Sequence, residues 1–304
     1  MATVKTYRPS ALKEALSVRQ QTGALPFAGG TDLMVQYRGY NGSFTRIESP
    51  VLFLDQVEEL RGITNSELPS GIPSGRPYSE NTIRIGAGCT LSEIIDSPLV
   101  PKLLKDALIQ IASPALRNRA TLAGNICNAS PAADSLPPLY VLEAKAELAS
   151  LSEVRQLPIS NFVTGPGTTA LKKDEILTAI IIPRPHFNSG FYRKVGTRKA
   201  NALSKLSAAW AYTVNSGRIE LFRFAVGAAA PTPVRLTDAE TLLTGLSTQA
   251  LDKKTIRTAL NAASSSLRPI DDQRSSAFYR KQTALNILSS LLTDIHLHDG
   301  EIND

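Results

Sequence analysis

Apolar and polar residues follow two spacings along this chain, one typical of helices and the other of strands. Helical spacing covers residues 10–22, where Ser10 is predicted as the N-cap and Gly23 follows the last turn. A second helix is predicted over about 101–112, and three more helical patterns finish the chain. The last one places four apolar residues on a single stripe, which indicates core packing: Leu285, Leu288, Leu292 and Ile295.

Short apolar runs predict strands between these helices. Four of them read as buried strands: ALPFA (24–28), VLFLD (51–55), TIRIGAG (82–88) and DEILTAIIIP (174–183). A strand pair is predicted over 144–150 and 153–159, and a hairpin over 210–228 with its turn at Asn215-Ser216-Gly217. Helices therefore mix with strands throughout, and the prolines after residue 182 indicate a boundary near 184–189.

Three segments show the residues typical of loops or of helix starts rather than a regular spacing of apolar positions. Residues 64–81 are rich in Ser, Pro, Gly and Asn, which predicts an exposed loop. TLSE at 90–93 is a capping box, in which Thr90 and Glu93 each satisfy an amide at the start of a helix. Residues 113–134 show little periodicity, and a loop of that length inside a compact domain is usually functional or mobile.

Composition excludes several classes of protein. No apolar run approaches the roughly 20 residues that a membrane span needs, and the first residues lack the apolar core of a signal peptide, which favours the cytoplasm. Cys89 and Cys127 are the only cysteines, too few for an iron–sulfur cluster or a four-cysteine zinc site. The three histidines, His186, His296 and His298, are spaced for neither a metal site nor a catalytic triad.

The net charge of +6 raises the question of whether the protein binds nucleic acid. The basic residues are scattered except in one cluster between Arg193 and Lys199, and no basic motif interleaved with aromatic residues appears. Such a charged face is usually just solvated, so nucleic-acid binding is not expected.

Three glycine-bearing segments compete for a phosphate-binding role. GAGCTL (86–91) lacks the third glycine of a dinucleotide fingerprint, and GPGTTA (165–170) has a proline within it and no helix after it. AGGTD (28–32) lies between a predicted strand and a predicted helix, so its amides can converge on an anion. We expect Gly29, Gly30 and Thr31 to face the ligand, and Asp32 to cap the helix by accepting bonds from backbone amides.

The segment TLAGNICNASPAAD (121–134) is a second candidate. Thr121 and Asn125 carry short neutral donors, Gly124 allows close backbone approach, and Asp134 can accept from ribose hydroxyls. A dinucleotide held by loops from two α/β units would use both segments at once. Either loop alone is also consistent with a structural turn.

These segments occur in a characteristic order. AGGTDL, SPALRNRATLAGNICNASPAAD, DEILTAIIIP, FYRKVGTRKANALSKLS, FAVGAAAPTPVRL and RPIDDQRSSAFYR follow one another as in the FAD-binding subunits of molybdenum hydroxylases. The chain resembles the medium subunit of carbon monoxide dehydrogenase and the flavin subunits of bacterial xanthine dehydrogenases, nicotinate dehydrogenases and aldehyde oxidoreductases. The resemblance runs from about residue 4 to 293. One departure is Ala123, where the family commonly has glycine; its methyl group is expected to narrow the approach to the diphosphate.

The resemblance implies an α+β protein: a vanillyl-alcohol oxidase (PCMH)-type FAD-binding domain of two α/β subdomains, then a C-terminal α+β domain of the carbon monoxide dehydrogenase flavoprotein type. By this analogy residues 1–57 and 58–186 are the two subdomains, 187–295 close over the flavin, and 296–304 form a tail. The implied cofactor contacts are Phe27, Ala28, Gly29, Gly30, Thr31 and Asp32 at the diphosphate with Thr121, Gly124 and Asn125, Asp134 at the ribityl or ribose part, Ile111 and Ala112 in the cleft, Leu177 near the flavin ring, and Tyr192 and Lys194 at the isoalloxazine.

The resemblance also implies that this chain oxidises no substrate itself and has no catalytic residue of its own. Hydroxylation would occur at a molybdenum–pterin centre in a large subunit, two iron–sulfur clusters in a small subunit would relay electrons, and FAD would pass them to an external acceptor. The expected assembly is a dimer of heterotrimers with no membrane span. Two alternatives are a self-sufficient flavoprotein oxidoreductase of the same fold and a nucleotide-binding scaffold without flavin. The substrate of the complex and the external acceptor are not identified by this sequence.

Overall fold

The computed structural model describes residues 4–38, 46–65, 82–184, 187–198 and 201–297. The chain forms two compact units, each assembled from separate stretches of sequence. Unit 1 comprises Met1–Val100, Ala112–Ala129 and Glu143–Arg184, and unit 2 comprises Pro101–Ile111, Ser130–Leu142 and Pro185–Asp304. In the described part of the chain, no helix is both long enough and apolar enough to cross a membrane.

The first part of unit 1 is a small parallel sheet. Its strands are β1 (Thr6–Tyr7), β2 (Leu25–Phe27) and β3 (Val51–Phe53), and β3 lies in the middle. Helix α1 (Leu12–Thr22) buries the predicted apolar face and ends at Gly23, whose φ is 64°. The predicted N-cap was wrong: Ala11 occupies that position, and the amide of Leu12 donates instead to Glu59 Oε1 at 3.0 Å.

The larger sheet of unit 1 has five antiparallel strands. In spatial order they are β4 (Ile63–Asn65), β5 (Thr82–Gly86), β10 (Ile176–Pro183), β6 (Lys145–Ala149) and β7 (Val154–Pro158). The predicted pairing of the segments at 144–150 and 153–159 is confirmed. Strand β10 is buried along almost its whole length, as its continuous apolar run predicts for a central strand. A two-stranded sheet is formed by β8 (Val163–Gly165) and β9 (Thr168–Thr169).

Short helices complete unit 1. They are α2 (Leu33–Gln36), α3 (Leu91–Asp96), α5 (Pro114–Arg117), α6 (Leu122–Asn128) and α8 (Ile159–Phe162), with a 3₁₀ helix at Glu58–Leu60. The predicted capping box at the start of α3 is confirmed on both sides.

The prediction of a long irregular loop over 113–134 was wrong. The segment contains α5 and α6, whose N-caps are Ser113 and Thr121. Helices of four and seven residues complete about one or two turns, so the 3.6-residue period cannot be seen in the sequence. The local signals of these helices are limited to the two capping residues and to Pro114 at the first position of α5.

Unit 2 packs helices against a four-stranded antiparallel sheet. The strands, in spatial order, are β11 (Ser189–Val195), β12 (Leu206–Asn215), β13 (Arg218–Gly227) and β14 (Val234–Arg235). The helices are α4 (Lys102–Leu108), α7 (Leu136–Val141), α9 (Thr237–Leu243), α10 (Lys253–Ser266) and α11 (Ala277–Leu297), with a 3₁₀ helix at Thr248–Ala250. Helix α11 buries Leu288, Leu292 and Ile295 and half-buries Leu285, as predicted.

Two predicted boundaries differ from the structure. The helix expected over about 101–112 ends at Leu108, and Ala112 has a left-handed φ of 51° that a helix cannot contain. Residues 64 and 65, expected in an exposed loop, belong to β4. The rest of that loop lies outside the described residues, as do His186, His298 and the end of the tail.

The hairpin of β12 and β13 turns in two residues rather than the predicted three, because Asn215 pairs with Arg218. Ser216 and Gly217 have φ values of 49° and 69°, as in a type I′ turn. Asparagine is preferred there, so we expect Ser216→Asn to raise the free energy of unfolding by about 0.5 kcal/mol, measured in urea. Ser216→Val is the control and should lower it, since a β-branched residue resists left-handed backbone. Equal midpoints for both variants would contradict this.

Candidate functional site

The loop from Phe27 to Asp32 joins β2 to α2 in unit 1. Gly30 within it has a φ of 72°, and a Cβ there would lie 2.2 Å from Cζ of Phe27. The Phe27 ring is itself packed on Phe53, with ring centroids 4.9 Å apart. Only glycine fits position 30, because both the backbone conformation and the ring above it exclude a side chain. Ala28 and the residues up to Thr31 are half-buried, and Asp32 is exposed.

Gly29 brings this loop against the second predicted loop. A Cβ on Gly29 would lie 2.1 Å from the carbonyl oxygen of Arg119 and 3.0 Å from Cα of Ala120. Those two residues directly precede Thr121, the N-cap of α6. The two segments singled out in the sequence are therefore in backbone contact within one unit, and glycine at position 29 permits that contact.

Five consecutive amides, four in the first loop and one at the first residue of α2, have no acceptor among the residues that the structure describes. They belong to Gly29, Gly30, Thr31, Asp32 and Leu33. The first intrahelical bond of α2 comes later, from the amide of Met34 to the carbonyl of Gly30 at 3.0 Å. A run of unpaired amides at a helix start is an arrangement that binds anions.

The expected capping role of Asp32 was wrong. Asp32 lies at the N-cap position, but its φ and ψ of −99° and −44° are helical, and its side chain accepts no amide of the first turn. Its Oδ2 accepts from Gln36 Nε2 at 2.6 Å, and Gln36 also donates to Asn128 Oδ1 at 2.7 Å. A residue whose side chain caps a helix needs an extended backbone, which Asp32 lacks. Its carboxylate is instead hydrogen-bonded by Gln36, which lies one turn later on the same helix. The Gln36 bridge ties α2 to the end of α6.

The second loop is built around Thr121. Its hydroxyl accepts from the amide of Gly124 at 3.0 Å, and its carbonyl accepts from the amide of Asn125 at 3.1 Å. A Cβ on Gly124 would come within 2.9 Å of that hydroxyl. Gly124 is exposed and Asn125 half-buried, whereas Ala123 is buried. The structure therefore leaves an open backbone surface at Gly124.

Three further residues were predicted to contact the cofactor, Leu177 near the flavin ring and Ile111 and Ala112 in the cleft. Leu177 is a buried residue of β10 in unit 1, and α6 contacts that strand. Ala112 also belongs to unit 1, and its left-handed backbone is uncommon for a residue with a side chain. Ile111 belongs to unit 2, where its amide donates to Leu108 at 3.1 Å.

Unit 2 brings three predicted residues together. Asp134 Oδ1 accepts from the Tyr192 hydroxyl at 2.7 Å, and Oδ2 accepts from Lys194 Nζ at 2.7 Å. The side chains of Lys194 and Asp134 are only 9% and 7% exposed. Burial, followed by the negative charge of Asp134, raises the pKa of the Tyr192 hydroxyl well above its usual range. Tyr192 is therefore a neutral donor, and Lys194 and Asp134 form a buried ion pair.

Sequence reasoning missed two members of this cluster. Ser204 is fully buried and donates to Asp134 Oδ1 at 2.5 Å, and the Gln110 carbonyl accepts from Lys194 at 2.9 Å. Ser204 lies in one of the characteristic segments, just before an apolar strand, which was the only available signal. The contribution of Gln110 is a backbone carbonyl, which no residue type reveals.

Two family models match the chain one after the other. The model described as the FAD binding domain in molybdopterin dehydrogenase matches residues 2–185. The model described as the CO dehydrogenase flavoprotein C-terminal domain matches residues 191–295. Together they account for almost the whole sequence.

Individual proteins of the same kind are also similar to this chain in sequence or in structure. The chain is 34% identical over 241 residues to a putative xanthine dehydrogenase FAD-binding subunit of Escherichia coli K12, covering 77% of each chain. It is 29% identical over 309 residues to a nicotinate dehydrogenase FAD-subunit of Eubacterium barkeri, covering 97% of each. A solved structure of reconstituted CO dehydrogenase from Oligotropha carboxidovorans superposes with a TM-score of 0.83 at 24% identity, over 97% of this chain and 98% of that one. This last similarity shows a shared fold.

Proposed function

Because this chain belongs to the family of the FAD binding domain in molybdopterin dehydrogenase, we propose that it is the FAD-carrying, electron-transfer subunit of a multi-subunit molybdenum hydroxylase. The family resemblance noted in the sequence is confirmed by both models and by the relatives. The expected fold class, an FAD-binding domain followed by a CO dehydrogenase flavoprotein C-terminal domain, is confirmed as well. The protein is therefore part of an oxidoreductase.

The amides of residues 29–33, which have no acceptor in the part of the chain that the structure describes, are the observation that carries the proposal at the level of residues. They lie in the loop that touches the start of α6, where Thr121 and the exposed Gly124 sit. A diphosphate needs several donors on a surface without side chains, and these two loops offer both. The residues present thus fit the diphosphate of FAD, with Phe27, Ala28, Gly29, Gly30, Thr31, Asp32, Thr121, Gly124 and Asn125 as its proposed surroundings.

The ring contacts form the second part of the proposal. When bound, FAD supplies the redox chemistry that takes up electrons and passes them to an external acceptor. Lys194 would supply positive charge near the isoalloxazine, while the raised pKa keeps the Tyr192 hydroxyl protonated. Asp134 is proposed near the ribityl or ribose part, Ile111 and Ala112 along the cleft, and Leu177 against the ring. No residue of this chain is assigned to substrate oxidation.

Partners follow from the same reasoning. Two similar proteins are named as the FAD-binding subunit of a xanthine dehydrogenase and the FAD-subunit of a nicotinate dehydrogenase, which supports a heteromeric assembly. We propose an iron–sulfur small subunit and a molybdopterin large subunit as partners, in a dimer of heterotrimers. We also propose that the chain divides at residues 57, 186 and 295 and that it works in the cytoplasm.

The visible absorption spectrum of the purified chain tests the cofactor. We expect two flavin bands, either as purified or after addition of FAD, and both should bleach with dithionite. A chain that neither binds FAD nor is thermally stabilised by it would contradict the proposal. FAD with substrate turnover by the isolated chain would instead favour a self-sufficient flavoprotein oxidoreductase. Copurification of two further subunits with flavin is the result expected for the hydroxylase.

A further inference from the structure

Asp134 is the centre of a buried hydrogen-bond cluster in unit 2. Its two carboxylate oxygens accept from Tyr192, Lys194 and Ser204, which follow it by 58, 60 and 70 residues in the sequence. A carboxylate has about four acceptor sites, so three of them are taken by the protein itself. The Asp134 carboxylate therefore orients the three side chains that donate to it.

Two hydrogen bonds hold the Lys194 ammonium in place. Its ammonium donates to Asp134 Oδ2 at 2.7 Å and to the Gln110 carbonyl at 2.9 Å, and its side chain is 9% exposed. A lysine ammonium is strongly hydrated and its stem is flexible, so without a counter-charge it turns toward water where it can. The Gln110 carbonyl alone is a neutral partner. The position of the positive charge therefore depends on Asp134.

We propose that Asp134 is a positioning residue, which fixes the Lys194 ammonium and the Tyr192 hydroxyl and thereby sets how strongly the protein favours reduced over oxidised flavin. This inference rests on the proposed function, because only a flavin near Lys194 would respond to the placed charge. It gives Asp134 an effect that passes through Lys194, in addition to any bond of its own to the cofactor. A placed positive charge stabilises the anionic reduced flavin.

The sign of the change in flavin potential separates this role from a direct one. Lys194→Met should lower the preference for reduced FAD by about tenfold, which is about 30 mV for a two-electron couple. Asp134→Asn should lower it in the same direction and by a similar factor, because Lys194 loses its position, and the double variant should fall no further. If Asp134 acted by its own negative charge, Asp134→Asn would raise the potential, and that result would overturn the proposal.

Two control variants address folding. Ser204→Ala removes one neutral donor from the same carboxylate and leaves the ion pair, so the preference for reduced FAD should change by less than twofold, which is about 9 mV. Asp134→Glu keeps the negative charge, so it should lower the preference for reduced FAD less than Asp134→Asn does. A fall in potential with Ser204→Ala equal to that with Asp134→Asn would indicate general disturbance of the cluster and overturn the specific role.

A measurement without FAD separates this proposal from the proposed function. In the FAD-free protein labelled with ¹³C-lysine, the Lys194 signal is identified by its loss in Lys194→Met. Asp134→Asn should move that signal toward the position and narrow line width of exposed lysines. An unchanged signal would overturn the positioning role even if the chain binds FAD. A shifted signal in a chain that fails to bind FAD would uphold the positioning of Lys194 and contradict the proposed function.

Discussion

Gly29→Ala is expected to weaken FAD binding by at least a hundredfold, about 2.8 kcal/mol. The new methyl group would lie 2.1 Å from the Arg119 carbonyl oxygen, and a backbone atom cannot rotate away. The loop of residues 27–32 must therefore separate from the start of α6, and the donors of the two loops no longer face one ligand. Overpacking of this kind also costs about 1–3 kcal/mol of unfolding free energy. Flavin fluorescence titration and urea unfolding measure the two quantities.

Gly23→Ala is the matched control in the same unit. Gly23 has a φ of 64°, and a methyl group added there would meet no atom within 4 Å, so alanine is strained but clashes with nothing. We expect it to lower the unfolding free energy by about 1 kcal/mol and to leave the affinity for FAD unchanged. Wild-type affinity in Gly29→Ala would show that contact between the loops is not needed for the cofactor. Gly30→Ala is less informative, because its left-handed backbone and the Phe27 ring both oppose a side chain.

Glu147→Leu is expected to lower the unfolding free energy by about 3–5 kcal/mol, a large part of the total stability of a typical protein. Glu147 on β6 faces Arg84 on β5 across the central strand β10, with Nη2 and Oε1 3.4 Å apart. Both side chains are at most 2% exposed, and the Thr178 hydroxyl of β10 donates to Glu147 at 2.9 Å. Removing the carboxylate leaves a buried guanidinium without its counter-charge, which is why the loss is large.

A double-mutant cycle in urea tests this interpretation. Arg84→Met combined with Glu147→Leu removes both charges and should recover most of the stability lost by either single variant. Asp106→Asn is the exposed control: its partner Lys102 is 72% exposed, so the loss should stay below about 0.5 kcal/mol. Additive losses in the double variant would mean that the two charges do not stabilise each other.

Local patterns predicted the parts of the fold that are determined locally. The buried run of β10, the pairing of β6 with β7 and the capping box of Thr90 and Glu93 each depend on neighbouring residues or on a simple period, and all are confirmed. Helices α5 and α6 were missed because so few turns show no period. The family resemblance, carried by several motifs in order, predicted the overall architecture better than any single element did.

The candidate site was predictable only as a set of residues. The sequence contained both glycine-bearing segments, but nothing in it showed that Gly29 meets the Arg119 carbonyl. Asp32 was assigned by the usual preference of helix starts, whereas its neighbour Gln36, one turn on, determines what the carboxylate binds. The partners of Asp134 lie 58 to 70 residues away, and such contacts depend on the tertiary fold rather than on local preference.

The interleaving of the two units has a consequence for synthesis of the chain. Unit 2 draws Pro101–Ile111 and Ser130–Leu142 from the first half of the sequence and its sheet from the second half. During translation these two stretches leave the ribosome well before β11 and β12, so Asp134 emerges before the lysine and serine that neutralise and bind it. Unit 2 therefore cannot complete its fold until the strands from the second half of the chain have been synthesised. No single cut in the gene yields either unit as an uninterrupted polypeptide, so neither unit can be expressed alone as one natural stretch of the chain.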